Sequence, residues 1–224
     1  MVTVIIPCAG KGERFGGKLP KQYLELKGIP LFIRTILAFE KHSQCEAIVL
    51  AVEKNFLKYV EEKIREFGLK KIFAITVGGK TRQESVYQGV LSSPEDTEIF
   101  LVHDAVRPLV NEALISKVIE EARVFQAVIP AIPVRDALIR AEDNFLKSPL
   151  SREGHYLVQT PQAIKAEILK DCLFKAQKEG LIFFDEGSLL HHYGYKVKIT
   201  SGYIFNIKIT YPDDLILAER LISK

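Results

Sequence analysis

Short, uninterrupted apolar runs recur through the first two thirds of the chain and restrict its possible folds. They read VTVIIP (2–7), AIVLAV (47–52), IFAITV (72–77), IFLV (99–102) and AVIPAI (127–132). Strands that are buried on both faces show continuous apolar runs of this kind. Helical patterns lie between them, at 31–40, 54–67, 82–91 and 112–125. This alternation predicts an α/β, Rossmann-like fold, with a mostly parallel central sheet and helices on both faces.

The pattern changes after residue 132. The segment 133–156 is polar and charged, and Asp143-Asn144 forms a turn signal near its middle. We predict a protruding β-hairpin arm, which should pack on something, such as a second subunit, because a lone hairpin is only marginally stable in water. A mobile surface loop is the alternative. Beyond the arm, the sequence predicts helices at 165–178, 186–193 and from Pro212, and short strands at 196–200 and 204–209. We expect one domain over 1–224.

The composition limits the partners of the chain. Hydrophobic residues make up 47% of it, which predicts a packed globule. The net charge is only +3, from 31 basic and 28 acidic residues, so neither nucleic acid nor a membrane is an expected partner. The 3 cysteines are far apart and form no CxxC, which argues against a disulfide framework or a zinc site. No signal-peptide pattern or membrane-length apolar run is present, and we expect a cytoplasmic protein.

A glycine-rich loop, PCAGKGERFGGKLPK (7–21), follows the first predicted strand. Gly12 to Lys18 has the GxxxxGK spacing of a P-loop, but Leu19 stands where that motif needs Ser or Thr to hold magnesium. The dinucleotide fingerprint fails as well, because Phe15 replaces its third glycine. An ATPase and a dehydrogenase are therefore both poor interpretations. A glycine-rich, basic loop that wraps a chain of phosphates with its backbone N–H groups fits better.

Charged residues follow the carboxyl ends of several predicted strands. Because ligands of open parallel sheets bind at that edge, Arg14, Lys21, Arg82, Asp104 and Arg107 should gather there. The sequence alone does not place Lys208, which lies on the predicted late strand 204–209.

Motifs spread over nearly the whole chain carry a specific resemblance. They are PxAGxGxRF…PKQYL at the start, GGKTRQESV (78–86), VHDAVRP (102–108), PVRDALIR (133–140), TPQA (160–163), FDEGSLL (184–190) and FNIKIT (205–210). In this order the chain resembles the 2-C-methyl-D-erythritol 4-phosphate cytidylyltransferases. The resemblance implies a nucleotidyltransferase that joins CTP to this alditol phosphate and releases pyrophosphate, in non-mevalonate isoprenoid biosynthesis.

The resemblance also implies roles for individual residues. Arg14, Lys21 and Lys208 would stabilise the α-phosphate during transfer. The nucleotide would be held by Pro7, Ala9, Gly10, Gly12, Gly79, Lys80 and Ser85. Asp104 would bind hydroxyls of the acceptor, and Arg107 and Arg152 would grip its phosphate. Arg152 would serve the partner's site, since in the family the arm reaches across a homodimer.

The same resemblance implies Mg²⁺ as the cofactor, held mainly by the triphosphate and not by a protein cage. Two positions depart from the family pattern, because Ala137 and Phe184 stand where relatives often carry threonine that touches the acceptor. A ribitol-5-phosphate (or other alditol phosphate) cytidylyltransferase is therefore the alternative. A catalytically silent nucleotide-binding protein is the second alternative.

Overall fold

The computed structural model describes residues 1–10, 15 and 19–222. Its strands are β1 (Val2–Cys8), β2 (Glu25–Leu26), β3 (Ile29–Pro30), β4 (Ala47–Val52), β5 (Ile72–Val77), β6 (Ile99–Val102), β7 (Ala127–Pro133), β8 (Leu138–Glu142), β9 (Phe145–Leu150), β10 (Tyr156–Val158), β11 (Gln162–Lys165) and β12 (Lys198–Ser201). Its helices are α1 (Leu31–Lys41), α2 (Leu57–Glu66), α3 (Arg82–Leu91), α4 (Glu112–Phe125), α5 (Ala166–Glu179), α6 (Glu186–His192) and α7 (Pro212–Leu221). The predicted strands up to β7 and the helices between them are confirmed.

Among the described strands, 8 form a central sheet in the order β10-β7-β11-β6-β1-β4-β5, with β12 also paired to β7, while β2 and β3 pair with each other. β1 pairs in parallel with both β4 and β6, and β4 pairs in parallel with β5. The predicted parallel core is thus confirmed. The sequence did not predict β11, which runs antiparallel between β6 and β7. This strand is only four residues long and opens on the buried, polar Gln162, so it lacks an apolar run.

Helices cover both faces of the sheet because neighbouring strand residues point to opposite sides. On one face, Val4 and Ile6 pack into a core that also contains residues of α1, α2 and α4. On the other face, Ile5 packs with residues of α3, α5 and α6. Gly89 of α3 lets this helix approach the sheet, since a Cβ there would lie 2.7 Å from Ile5 Cγ2. The two-sided burial of β1 accounts for its continuous apolar sequence.

The predicted arm is present as a separate two-stranded sheet, β8–β9. Its turn residues Asp143 and Asn144 have φ values of 51° and 66°, as a type I′ turn requires. The arm exposes large apolar side chains, among them Phe145, which is 77% exposed, and Leu146, at 65%. Such a surface on a thin hairpin is unfavourable in water.

The predicted strand at 204–209 is wrong. Its backbone bonds instead to the loop after β6, where Arg107 donates to the Asn206 carbonyl at 2.9 Å and the Ile209 amide donates to the Val106 carbonyl at 2.9 Å. The neighbouring predicted strand exists as β12, shifted by one to two residues. Among the described helices, none has the length and apolar character to cross a membrane.

Candidate active site

A cleft of about 990 Å³ opens beyond the carboxyl ends of β1, β4, β5 and β6. This is the edge at which the sequence predicted ligand binding. Its lining includes nine of the predicted site residues, namely Pro7, Ala9, Gly10, Lys21, Gly79, Lys80, Ser85, Asp104 and Lys208. Arg14 and Gly12 lie outside the described residues. The cleft therefore joins the predicted nucleotide-binding residues to Lys21 and Lys208 in one space.

The glycine-rich loop is held at its start by residues that follow it in the chain. Gln22 Nε2 donates to the carbonyls of Cys8 and Gly10, at 2.9 and 2.8 Å. The Tyr23 hydroxyl also donates to the Cys8 carbonyl, at 3.2 Å, and its ring stacks on Phe56 with centroids 4.3 Å apart. These contacts give the motif PKQYL a physical role. Gln22 was not predicted, because no pattern in the sequence shows that a side-chain amide bonds to the loop that precedes it.

Burial controls the chemistry of Cys8. Its side chain is 1% exposed, and this desolvation raises the pKa of the thiol to about 12, although a hydrogen bond with Tyr23 lowers it. Cys8 is therefore an inert packing residue at neutral pH.

The loop between β5 and α3 needs glycine for close contact with its neighbours. A Cβ at Gly78 would lie 2.4 Å from Ala9 Cβ, so the loops after β1 and β5 touch here. The Gly79 amide donates to Ser85 Oγ at 3.1 Å, and that hydroxyl donates to the Thr81 carbonyl at 2.9 Å. Ser85 is thereby fixed at the cleft, on the first turn of α3.

The electrostatic centre of the cleft is Asp104, which is 7% exposed. Its Oδ1 accepts from Arg82 Nε at 3.2 Å. Its Oδ2 accepts from Arg107 Nε at 3.1 Å and from Lys208 Nζ at 3.0 Å. Burial alone would raise the pKa of the Asp104 carboxyl, but the charges of Arg82, Lys208 and Arg107 hold that pKa well below its usual range. Asp104 is therefore ionised whenever the protein is folded near neutral pH.

A second buried carboxylate, Glu186, holds Arg82 from the opposite side. Arg82 donates to its two carboxylate oxygens at 2.6 and 3.0 Å. Burial lowers the pKa of Arg82, but Glu186 and Asp104 outweigh it and raise that pKa. Glu186 belongs to the quoted motif FDEGSLL, yet the sequence analysis gave it no role. Arg82 and Glu186 lie 104 positions apart, and nothing in a single sequence links them.

The structure does not place Arg107 in the cleft lining. Its side chain is 10% exposed, and it donates to the carbonyls of Asn206 and Val158 at 2.9 and 3.4 Å as well as to Asp104. Each of its three side-chain nitrogens makes one of these bonds, so Arg107 braces Asp104. Its predicted role in gripping the acceptor phosphate stays a prediction.

Arg152 lies near the base of the arm, away from the cleft of its own chain. It is exposed and donates to the Arg135 carbonyl at 2.6 Å. Its predicted role in a partner's site stays a prediction.

His103 is a structural histidine. It is fully buried and packs edge-on against Phe39, with ring centroids 4.9 Å apart. Its Nε2 lies 3.1 Å from the Arg107 carbonyl, so this nitrogen carries the proton, and its Nδ1 accepts from Thr160 Oγ1 at 3.0 Å. Burial lowers the pKa of His103 to about 4, which keeps the ring neutral at pH 7.

Comparisons with known proteins identify the family of the chain. The family model for 2-C-methyl-D-erythritol 4-phosphate cytidylyltransferase matches residues 2–224. Enzymes with this name from Bacillus velezensis and Clostridium novyi are 36% and 37% identical to the chain; the alignments span 99% and 98% of this chain and 95% of each relative. The crystal structure of the Thermus thermophilus enzyme of that name superposes with a TM-score of 0.81 at 31% identity, covering 98% of this chain and 97% of that one. The chain belongs to the 2-C-methyl-D-erythritol 4-phosphate cytidylyltransferase family.

Proposed function

We propose that this chain joins CTP to 2-C-methyl-D-erythritol 4-phosphate, forming 4-diphosphocytidyl-2-C-methyl-D-erythritol and pyrophosphate. The observation that carries the proposal is the single cleft that unites Ser85 and Gly79 with Lys21 and Lys208. Family membership over residues 2–224 supports the same reaction. The names of the relatives favour this acceptor over ribitol 5-phosphate.

The chemistry explains why the cleft is lined by cations. An oxygen of the acceptor phosphate attacks the α-phosphorus of CTP, and the bond from that phosphorus to the β-phosphate oxygen breaks. The attacking oxygen is already anionic near neutral pH, since the second pKa of a phosphate monoester is about 6, so no general base is required. The barrier lies in bringing two polyanions together. Lys21, Lys208 and, outside the described residues, Arg14 would stabilise the charge that develops on the α-phosphate.

Asp104 keeps a limited capacity for the acceptor. A carboxylate offers about four lone-pair sites, and three cations already bind it. One acceptor hydroxyl can therefore donate to Asp104 without displacing a cation. Arg107 fixes this carboxylate, and the N–H groups that these bonds leave over would contact the acceptor phosphate.

We infer that Mg²⁺ enters this cleft bound to the nucleotide. Among the described residues, no group of His, Cys, Asp or Glu side chains is arranged to hold a metal ion. Asp104 already forms ion pairs with Arg82, Arg107 and Lys208. Mg²⁺ commonly binds substrate phosphates and retains several waters. We therefore assign its binding mainly to the triphosphate, where it would neutralise part of the phosphate charge.

The arm supports a homodimer. Its exposed apolar side chains, with Phe145 and Leu146 the most exposed among them, would be buried by a second copy, and Arg152 near its base would then reach the partner's cleft. Mixing an Arg152→Ala chain with a Lys21→Ala chain tests this arrangement, because one mixed dimer holds one intact site. Activity that stays at the level of either variant alone would exclude the crossed arrangement.

A substrate panel tests the function itself. The purified chain is incubated with Mg²⁺, with CTP or UTP, and with methylerythritol phosphate, ribitol phosphate or a sugar 1-phosphate. We expect pyrophosphate release with CTP and methylerythritol phosphate, confirmed by ³¹P NMR of the diphosphate product. Release with ribitol phosphate alone would instead identify ribitol phosphate as the acceptor, which is the alternative that Ala137 and Phe184 favour. Release with none of them, alongside measurable CTP binding, would indicate a silent binding protein.

A further inference from the structure

Glu186 has no part in the chemistry proposed above, although it lies in the first turn of α6 beside the cleft. Its side chain is 3% exposed, and both oxygens are bonded to Arg82. Among the ion pairs of the described residues, Glu186 pairs with Arg82, whereas Lys208 pairs with Asp104. The influence of Glu186 on the reacting groups must therefore pass through Arg82.

The position of Glu186 is firmly set by its surroundings. Asp185 caps α6 by accepting from the Ser188 amide at 2.8 Å. Gln162 of β11 then accepts from the Gly187 amide at 2.9 Å and donates to Asp185 at 3.1 Å. The first turn of α6 is thus bonded to the central sheet. Glu186 is presented to Arg82 from a rigid base.

The three cations around Asp104 differ in how they are anchored. Arg107 is held by two backbone carbonyls, and Arg82 is held by Glu186. Lys208 is 36% exposed, and within the described part of the chain its ammonium forms an ion pair with Asp104 only. Lys208 is therefore the cation of this group that is able to exchange Asp104 for a phosphate oxygen.

From these contacts we propose that Glu186 is a positioning residue for the transfer reaction. By fixing Arg82 against Asp104, it keeps this buried carboxylate neutralised while Lys208 moves to the phosphate. Without Glu186, Arg82 is free to leave Asp104, and the carboxylate then holds Lys208 more tightly. The role of Glu186 in turnover rests on the proposed function, whereas its role in fixing Arg82 rests on geometry alone.

Glu186→Gln tests the role in turnover while nearly preserving side-chain shape. We expect kcat to fall about tenfold or more, because small displacements of catalytic groups have effects of up to about a hundredfold. KM for CTP should change less than about twofold, and the circular dichroism spectrum should be unchanged. Ser188→Ala is the matched control, since it removes capping bonds of α6 but leaves the pair with Arg82, and its kcat should stay near wild type. A wild-type kcat in folded Glu186→Gln would overturn the proposal.

A double-mutant cycle shows whether Glu186 acts through Arg82. If it does, adding Glu186→Gln to Arg82→Gln should lower kcat less than twofold further. If the kcat losses of the two single variants instead multiply in the double variant, Glu186 acts independently of Arg82 and the positioning role is refuted.

A crystal structure of Glu186→Gln provides the readout that needs no turnover. Arg82 should leave its position against Asp104, and an unmoved Arg82 would refute the proposal even if kcat fell. If the wild-type chain proves inactive with every substrate in the panel, the proposed function fails, whereas this structure still decides whether Glu186 positions Arg82.

Discussion

Asp104 and Lys208 form one ion pair, yet replacing Asp104 should mainly lower the stability of the fold, whereas replacing Lys208 should mainly lower turnover. In Asp104→Asn, the half-buried Arg82 and the buried Arg107 both lose an anionic partner. Removing one member of a buried ion pair destabilises a protein by about 3–5 kcal/mol. For a chain of 224 residues, at about 2–4 °C per kcal/mol, the melting temperature should fall by roughly 6–20 °C.

Lys208→Ala removes the exposed member of the same pair. Its side chain is 36% exposed, and Asp104 keeps Arg82 and Arg107 as partners, so the loss should be closer to the limit of about 1 kcal/mol for exposed pairs than to that for a buried pair. The melting temperature should therefore fall by less than about 4 °C. Turnover should fall roughly a hundredfold to a thousandfold, as when one donor to a developing anion is removed.

Thermal unfolding followed by circular dichroism, together with pyrophosphate release from CTP, separates the two effects. The pH adds a further check. Because the pKa of Asp104 is depressed in the folded state, its stabilisation is present above the unfolded pKa of about 3.9 and is lost as the pH falls through the folded pKa. The difference in melting temperature between wild type and Asp104→Asn should shrink below about pH 4. Equal melting temperatures for the two variants at pH 7, or wild-type turnover in Lys208→Ala, would refute the reasoning.

Three further predictions concern other parts of the cleft. Gly78→Ala places a Cβ 2.4 Å from Ala9 Cβ, so it should separate the two loops and weaken CTP binding by about tenfold or more in calorimetric titration, while unchanged affinity would show that the loops adjust freely. Cys8, whose pKa burial raises to about 12, should resist iodoacetamide at pH 8 until the protein is unfolded, as followed by mass spectrometry, and rapid labelling of the native chain would contradict this burial. The depressed pKa of His103 means that the unfolded state binds the extra proton first, so acidification from about pH 6.5 to 4 should destabilise the wild type more than His103→Gln, and parallel stability curves would contradict it.

Much of the fold was predictable because β1, β4, β6 and most of β7 carry apolar runs that are buried on both faces. The edge strand β5 carries a similar run although it is only partly buried. The arm was predictable for the opposite reason, since its polar sequence and the Asp143-Asn144 turn exclude a buried strand. The strand predicted at 204–209 failed because its backbone partners lie in the loop after β6, where Arg107 and Val106 take the bonds that a ladder would have used. Local pattern does not reveal such distant partners.

The site divides in the same way. Residues that follow strand ends, such as Lys21 and Asp104, were predicted from topology, because parallel strands deliver their following loops to one edge. Gln22 and Glu186 were missed, since each acts by supporting another group. Arg107 was predicted at the same edge, but its bonds to Asp104 and to the Asn206 carbonyl were not, because such partners are not visible in a motif.

The cluster around Asp104 draws its members from widely separated parts of the chain. Arg82 meets Glu186 across 104 positions, and Arg107 meets Asn206 across 99. During synthesis, the glycine-rich loop emerges long before the residues that complete this network. Nascent chains on the ribosome therefore carry the glycine-rich loop without its partners in the cleft, and we expect the enzyme to become competent only when nearly its entire length has been translated and folded.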